Sequence, residues 1–139
     1  MKKRFEIIDH TADIGVTVYG GDMAELFKNA ALGMMELITD LGEVEDKLSK
    51  EITLEGQDPV SLLVIWLNEL LYQFEAESLI FRDFEVAVAD GKRLSATCRG
   101  EKRDSAKHLI KREIKAATYH NLNIIKKGNV YSANIIFDI

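Results

Sequence analysis

The sequence predicts an α+β fold in which two amphipathic helices pack on a largely antiparallel or mixed β-sheet, as a two-layer sandwich. Two segments carry apolar residues at helical spacing, and most other apolar residues alternate with polar ones between Gly-containing turns. The chain has 139 residues, enough for one hydrophobic core but short for two domains. We therefore expect a single domain over residues 1–139.

Two segments typical of short strands, residues 5–8 and 14–19, flank the polar sequence Asp9-His10-Thr11-Ala12-Asp13. A first helix is predicted after Asp22, because Asp22 followed by Glu25 resembles a capping box. Its apolar stripe consists of Met23, Leu26, Phe27, Ala30, Met34 and Leu37. This stripe predicts a helix with one buried face.

The second helix is predicted to begin at Pro59, where proline is well tolerated. Its wide apolar face consists of Leu62, Leu63, Trp66, Leu67, Leu70, Leu71 and Phe74. The remaining predicted strands cover residues 51–55, 84–88, 94–98, 114–118, 122–125 and 130–137. Asp90-Gly91 predicts a two-residue hairpin turn between two of them, which favours antiparallel pairing.

Composition limits the location and class of the protein. Apolar residues make up 47% of the chain and charged residues 29%, as in a folded globular protein. The single cysteine, Cys98, excludes an internal disulfide. The start MKKRFEIID lacks the apolar stretch of a secretory signal, and the longest apolar run is far shorter than the roughly 20 residues of a membrane span. We expect a cytoplasmic protein without membrane contact.

Charge is unevenly distributed along the chain, whose formal net charge is −5. Residues 1–90 carry 7 Lys and Arg against 19 Asp and Glu, whereas residues 92–127, the basic segment, carry 11 against 3. The basic segment could contact RNA or an acidic partner, because cations beside phosphates release counterions. Alternatively, its side chains only cover the solvent faces of strands and a loop.

Familiar enzyme motifs do not occur in the sequence, and Cys98 and the three histidines lack the spacing of a zinc site. For His120, a bond to the backbone at a strand end is favoured over a role as a base. The remaining candidates are carboxylates: Asp9, Asp13, Asp138 and the terminal carboxylate of Ile139 could converge on a hard divalent cation. Alternatively, Asp9 and Asp13 are turn formers and Asp138 is an exposed strand end. The residues by themselves favour this second interpretation.

Four segments make the chain similar to the archease family: DHTADIGVTVYGGDMAELFKNAA, WLNELLYQFEAESLIFRDFEV, GEKRDSAKHLIKREIKAATYHNLNI and the ending IFDI. The resemblance covers nearly the whole chain, and its most specific blocks are DHTADIG, KREIKAATYH and the final DI. Residues 40–60 contribute little to it.

This resemblance implies a non-enzymatic cofactor of an RtcB-type RNA ligase, which joins tRNA halves during tRNA splicing. The cofactor promotes ligase guanylation and multiple turnover. The resemblance also implies that Asp13, Asp138 and Ile139, together the acidic tip, bind Ca²⁺ or another divalent metal. Whether the acidic tip holds its own metal or docks on metals of the ligase stays open.

Two other hypotheses belong to different functional classes. The first is a chaperone or specificity modulator of a tRNA cytosine methyltransferase, a link that the resemblance also implies, acting through the basic segment. This hypothesis would predict tight binding to tRNA or to the methyltransferase that survives loss of Asp13, whereas our own expectation is that contact with tRNA is indirect or weak. The second is a metal-dependent hydrolase that uses Asp9, His10 and Asp13 and that would turn over substrate without a partner.

Overall fold

The computed structural model describes residues 4–9 and 13–139, without the side chains of Ile8 and Asp9. The helices are α1 (Met23–Ile38) and α2 (Pro59–Glu77), and a 3₁₀ turn covers Leu41–Glu43. The strands are β1 (Phe5–Asp9), β2 (Asp13–Gly20), β3 (Leu48–Glu55), β4 (Leu79–Ala89), β5 (Arg93–Lys102), β6 (Ala116–Thr118), β7 (Ile124–Lys127) and β8 (Val130–Asp138).

The strands form two antiparallel sheets. The first sheet has the order β1-β2-β8-β6, with β7 also paired to β8, and the second has the order β3-β5-β4. The predicted α+β class, with two helices and antiparallel pairing, is confirmed. The division into two sheets differs from the single sheet that we expected, because apolar alternation fixes which side chains face a helix but not which strand is the neighbour.

Both helices begin where the sequence predicts. Asp22 caps α1 by accepting the N–H of Glu25 at 2.8 Å, and the Glu25 carboxylate accepts the N–H of Gly21. Asp58 and Ser61 form a capping box at the start of α2, with Pro59 at the first helical position. These caps satisfy N–H groups that have no partner inside the helix.

One hydrophobic core joins the two helices to both sheets. All seven predicted apolar residues of α2 are buried, as are those of α1 except Met23, which is half-buried. Trp66 is fully buried, donates from Nε1 to the Phe27 carbonyl oxygen at 3.0 Å, and packs edge-on against Phe84. Within the residues that the structure describes, neither helix is long and apolar enough to cross a membrane.

Strand boundaries differ from the predicted ones at β4, which begins five residues before the predicted strand 84–88, at β3, which begins three residues before the predicted strand 51–55, and in the basic segment. The predicted strand 114–118 is shortened to β6, and the predicted strand 122–125 is shifted to β7. In the β4–β5 hairpin, Asp90 and Gly91 have positive φ angles of 57° and 66°, as their turn requires. Lys92 is an additional loop residue, because Ala89 pairs with Arg93. The loop therefore has three residues instead of the predicted two.

Candidate metal site at the ends of β2 and β8

The antiparallel register of β2 and β8 places Asp13 directly opposite Asp138. The neighbouring residues Ile14 and Phe137 are buried in the core. Because side chains alternate along a strand, Asp13 and Asp138 share the opposite face of the sheet. Asp13 and Asp138 are therefore adjacent in the fold, although 124 residues lie between them in the sequence.

Strand β6 lies on the other side of β8, where Ala116 pairs with Asp138. The main-chain N–H of Lys115 donates to the Asp138 carbonyl oxygen at 2.8 Å. Ile139 follows β8 and packs its half-buried side chain against the core. The end of β8 is thus held between β2 and β6 and anchored by the Ile139 side chain.

Asp13 carries a buried carboxylate oxygen, Oδ1, that has no hydrogen-bond partner among the described residues. Burial of an uncompensated carboxylate oxygen is costly, and like charges directly opposite on a sheet repel each other. A divalent cation between Asp13 and Asp138 would satisfy the oxygen and neutralise the repulsion. The residues present therefore fit an oxygen-ligated cation such as Ca²⁺.

The described part of the chain contains no cluster of three or more His, Cys, Asp or Glu side chains suited to a metal. Two carboxylates would therefore need oxygens from elsewhere, and the main-chain end of Ile139 is a candidate for one of them. The predictions for His10 and for the side chain of Asp9 lie outside the described residues. Metal binding by Asp13, Asp138 and Ile139 stays a prediction.

A second polar cluster, which sequence reasoning missed, surrounds the buried Glu101. Its carboxylate accepts Lys107 Nζ at 2.8 Å and the N–H of Glu45 at 2.7 Å. His108 is buried, and its Nδ1 accepts the Asp104 N–H at 3.0 Å. The ring proton is therefore on Nε2, which donates to Glu101 Oε2 at 3.0 Å.

These hydrogen bonds determine the ionisation of Glu101. Burial would raise the pKa of its carboxyl, but hydrogen bonds from Lys107, the Glu45 N–H and His108 outweigh burial and lower the pKa to about 2. The cluster ties the loop that follows β5 to β5 itself and to the segment that precedes β3. No sequence signal identified it, because Glu101 lies on β5 and its partners lie in loops without regular spacing.

Most cations of the basic segment contact other parts of this chain. Arg99 pairs with Glu85 at 3.1 Å, and the Arg112 guanidinium donates to the Leu37 carbonyl oxygen at 3.0 Å. Further intramolecular contacts involve Arg93, Lys102, Arg103, Lys107, Lys111 and Lys126. These contacts favour the interpretation that the side chains of the segment cover the solvent faces of strands and a loop over direct RNA binding.

His120 lies in the turn after β6 and is exposed. Its ring Nε2 is 3.4 Å from the Asn121 side-chain amide, and its main-chain N–H donates to Thr118 Oγ1 at 3.2 Å. Among the described residues the ring of His120 contacts the Asn121 side chain and its main chain makes the local bond. The favoured interpretation, a ring bonded to the backbone, stays a prediction.

Comparison with known proteins gives relatives over nearly the whole chain. The sequence model of the Archease protein family (MTH1598/TM1083) matches residues 5–139. A protein archease of Sulfurisphaera tokodaii is 39% identical over 139 residues, which cover 99% of each chain. One of Pyrococcus abyssi is 43% identical over 127 residues, which cover 89% of each chain.

Solved structures agree with this assignment. The solution structure of Methanobacterium thermoautotrophicum protein 1598 has a TM-score of 0.84 at 35% identity, covering 98% of this chain and 99% of that one. The crystal structure of a Thermotoga maritima archease, described as a possible chaperone, has a TM-score of 0.68 at 21% identity. It covers 100% of this chain and 98% of that one, and at this identity it supports the fold alone. By its sequence and its fold, this chain belongs to the archease family.

Proposed function

We propose that this protein is a non-enzymatic cofactor that activates an RtcB-type RNA ligase in tRNA splicing, through a metal-binding acidic tip. The cofactor promotes guanylation of the ligase and its multiple turnover. One observation carries the proposal: in a chain of the archease family, Asp13 faces Asp138 and holds a buried oxygen without a described partner.

In this proposal Asp13 and Asp138 hold Ca²⁺ through their carboxylates, and Ile139 adds a main-chain oxygen. Bound Ca²⁺ would supply positive charge between the two opposed carboxylates and coordination positions for further oxygen atoms. Calcium takes about six to eight oxygen ligands. The three residues would supply about six only if each bound through two oxygens, and otherwise positions remain for water or for a partner's groups. An incomplete site at an exposed strand end suits a protein that acts by contact with a partner.

The direct test is a ligation assay with a purified RtcB-type ligase and tRNA halves, with and without this protein. We expect the wild-type protein to raise the rate of ligation, and Asp13→Ala to remove most of this stimulation. Asp46→Ala is the matched control, since it removes one exposed carboxylate from the loop that precedes β3. Stimulation by Asp13→Ala equal to that by the wild type would contradict the proposed role of the acidic tip.

A second candidate function is a chaperone or specificity modulator of a tRNA cytosine methyltransferase. It is consistent with membership of the archease family, one member of which is described as a possible chaperone. In this case binding to the methyltransferase would survive Asp13→Ala, because the contact surface would lie in the basic segment. A pull-down of the methyltransferase with the wild-type and Asp13→Ala proteins separates the two candidates.

A further inference from the structure

Asn68, on α2, binds the main chain of β6 through both ends of its side-chain amide. Its Oδ1 accepts the N–H of Ala117 at 2.8 Å, and its Nδ2 donates to the Ala117 carbonyl oxygen at 3.1 Å. The N–H and carbonyl of one strand residue point to the same side of the strand. Asn68 therefore takes the place that a neighbouring strand would occupy on the edge of β6 away from β8.

Strand β6 needs this support because it has only three residues. Ala117 is buried, so its N–H and carbonyl would be costly to leave unpaired. The other edge of β6 pairs with β8, where Ala116 lies opposite Asp138. A contact from α2 to β6 is thus transmitted through one strand pair to an aspartate of the acidic tip.

We propose that Asn68 is a positioning residue for the acidic tip. By fixing β6 against β8, it keeps Asp138 opposite Asp13 in the arrangement that binds the cation. This inference rests on the proposed function, since it assigns Asn68 a role in the same metal site. Asn68 itself contacts Ala117, and its effect on the site passes through the main chain of β6.

Two measurements on the full-length protein test the proposal: calcium titration by calorimetry and amide hydrogen exchange. We expect Asn68→Ala to lower the affinity for Ca²⁺ about tenfold, at the lower end of the effects of residues that orient metal ligands. The amides of Ala117 and Lys115 should exchange faster, whereas that of Ile52 in β3 should be unchanged. Glu75→Ala, an exposed change on the same helix, should alter neither measurement.

Asn68→Asp provides a second variant if Asn68→Ala folds poorly, because it keeps the shape and the acceptor for the Ala117 N–H. It should protect the Ala117 amide better than Asn68→Ala does and bind Ca²⁺ with intermediate affinity. If Asn68→Ala binds Ca²⁺ with the wild-type affinity, or if exchange in β3 rises as much as exchange at Ala117, the positioning role is overturned and the metal site is not. A wild-type protein that does not bind Ca²⁺ would overturn the metal site, and this inference with it, whatever the exchange at Ala117.

Discussion

Asp13 and Asp138 lie directly opposite each other on neighbouring antiparallel strands and share one face of the sheet. Two like charges in this arrangement destabilise a sheet unless something neutralises them. The stability of the protein should therefore depend on whether a cation is present. Replacing one of the two aspartates by an uncharged residue should have opposite effects on stability with and without metal.

Calcium should raise the melting temperature of the wild-type protein, because a ligand that binds only the native state stabilises it. At a concentration 100 times the Kd this amounts to about 2.7 kcal/mol. Asp13→Asn and Asp138→Asn should greatly reduce the shift. Without metal, Asp138→Asn should be more stable than the wild type by about 0.2–1 kcal/mol, since the repulsion is removed.

Differential scanning fluorimetry with CaCl₂ and with EDTA measures both effects. Asp46→Ala should show the wild-type calcium shift and serves as the control for a lost surface carboxylate. A wild-type protein whose melting temperature is the same in CaCl₂ and in EDTA would count against a calcium site.

Binding of tRNA to the isolated protein should be weak even at low salt. Arg99 and Arg112, like most other cations of the basic segment, are engaged within the chain, and the net charge is −5. Few phosphates can then be neutralised, so the dependence of affinity on salt should be shallow. Fluorescence anisotropy with labelled tRNA over a salt series measures this. Tight binding that falls steeply with salt would instead support direct RNA contact by this segment.

Stability should fall in acid through Glu101. The pKa of its carboxyl is about 2 in the folded protein, below the ordinary value of 4.5. The folded state therefore binds the proton less readily than the unfolded state does. The contribution of ionised Glu101 is fully present above about pH 4.5 and is lost as the pH falls from there towards 2.

Glu101→Gln should remove this part of the pH dependence and should destabilise the protein at neutral pH by about 2 kcal/mol, typical of lost hydrogen bonds to a charged group. Chemical denaturation at several pH values measures both. Glu45→Gln is the matched control, because Glu45 is exposed and its carboxylate pairs with Lys107 at the surface of the same cluster. An unchanged pH dependence in Glu101→Gln would show that other groups control acid unfolding.

Local patterns predicted the helices well, because capping and apolar spacing act within a few residues. Asp22 and Asp58 cap the two helices as their sequences indicate. The adjacency of Asp13 and Asp138 was expected only from the family resemblance, since no local pattern relates two strands so far apart. No sequence pattern pointed to Asn68, because its hydrogen bonds to the main chain of Ala117 form only when α2 packs beside β6 in the folded protein.

Extending the chain by Gly-Ser-Gly after Ile139 tests whether Ile139 supplies a carboxylate to the acidic tip. The extension converts that carboxylate into a peptide carbonyl and crowds the end of β8, but it leaves the buried side chains of Ile135 and Phe137 in place. We expect metal-free stability to change little. Stimulation of the RNA ligase should fall at least about tenfold, equivalent to roughly 1.4 kcal/mol. A folded, extended protein that stimulates the ligase fully would exclude the Ile139 carboxylate as a functional group and leave the two aspartates as the ligands.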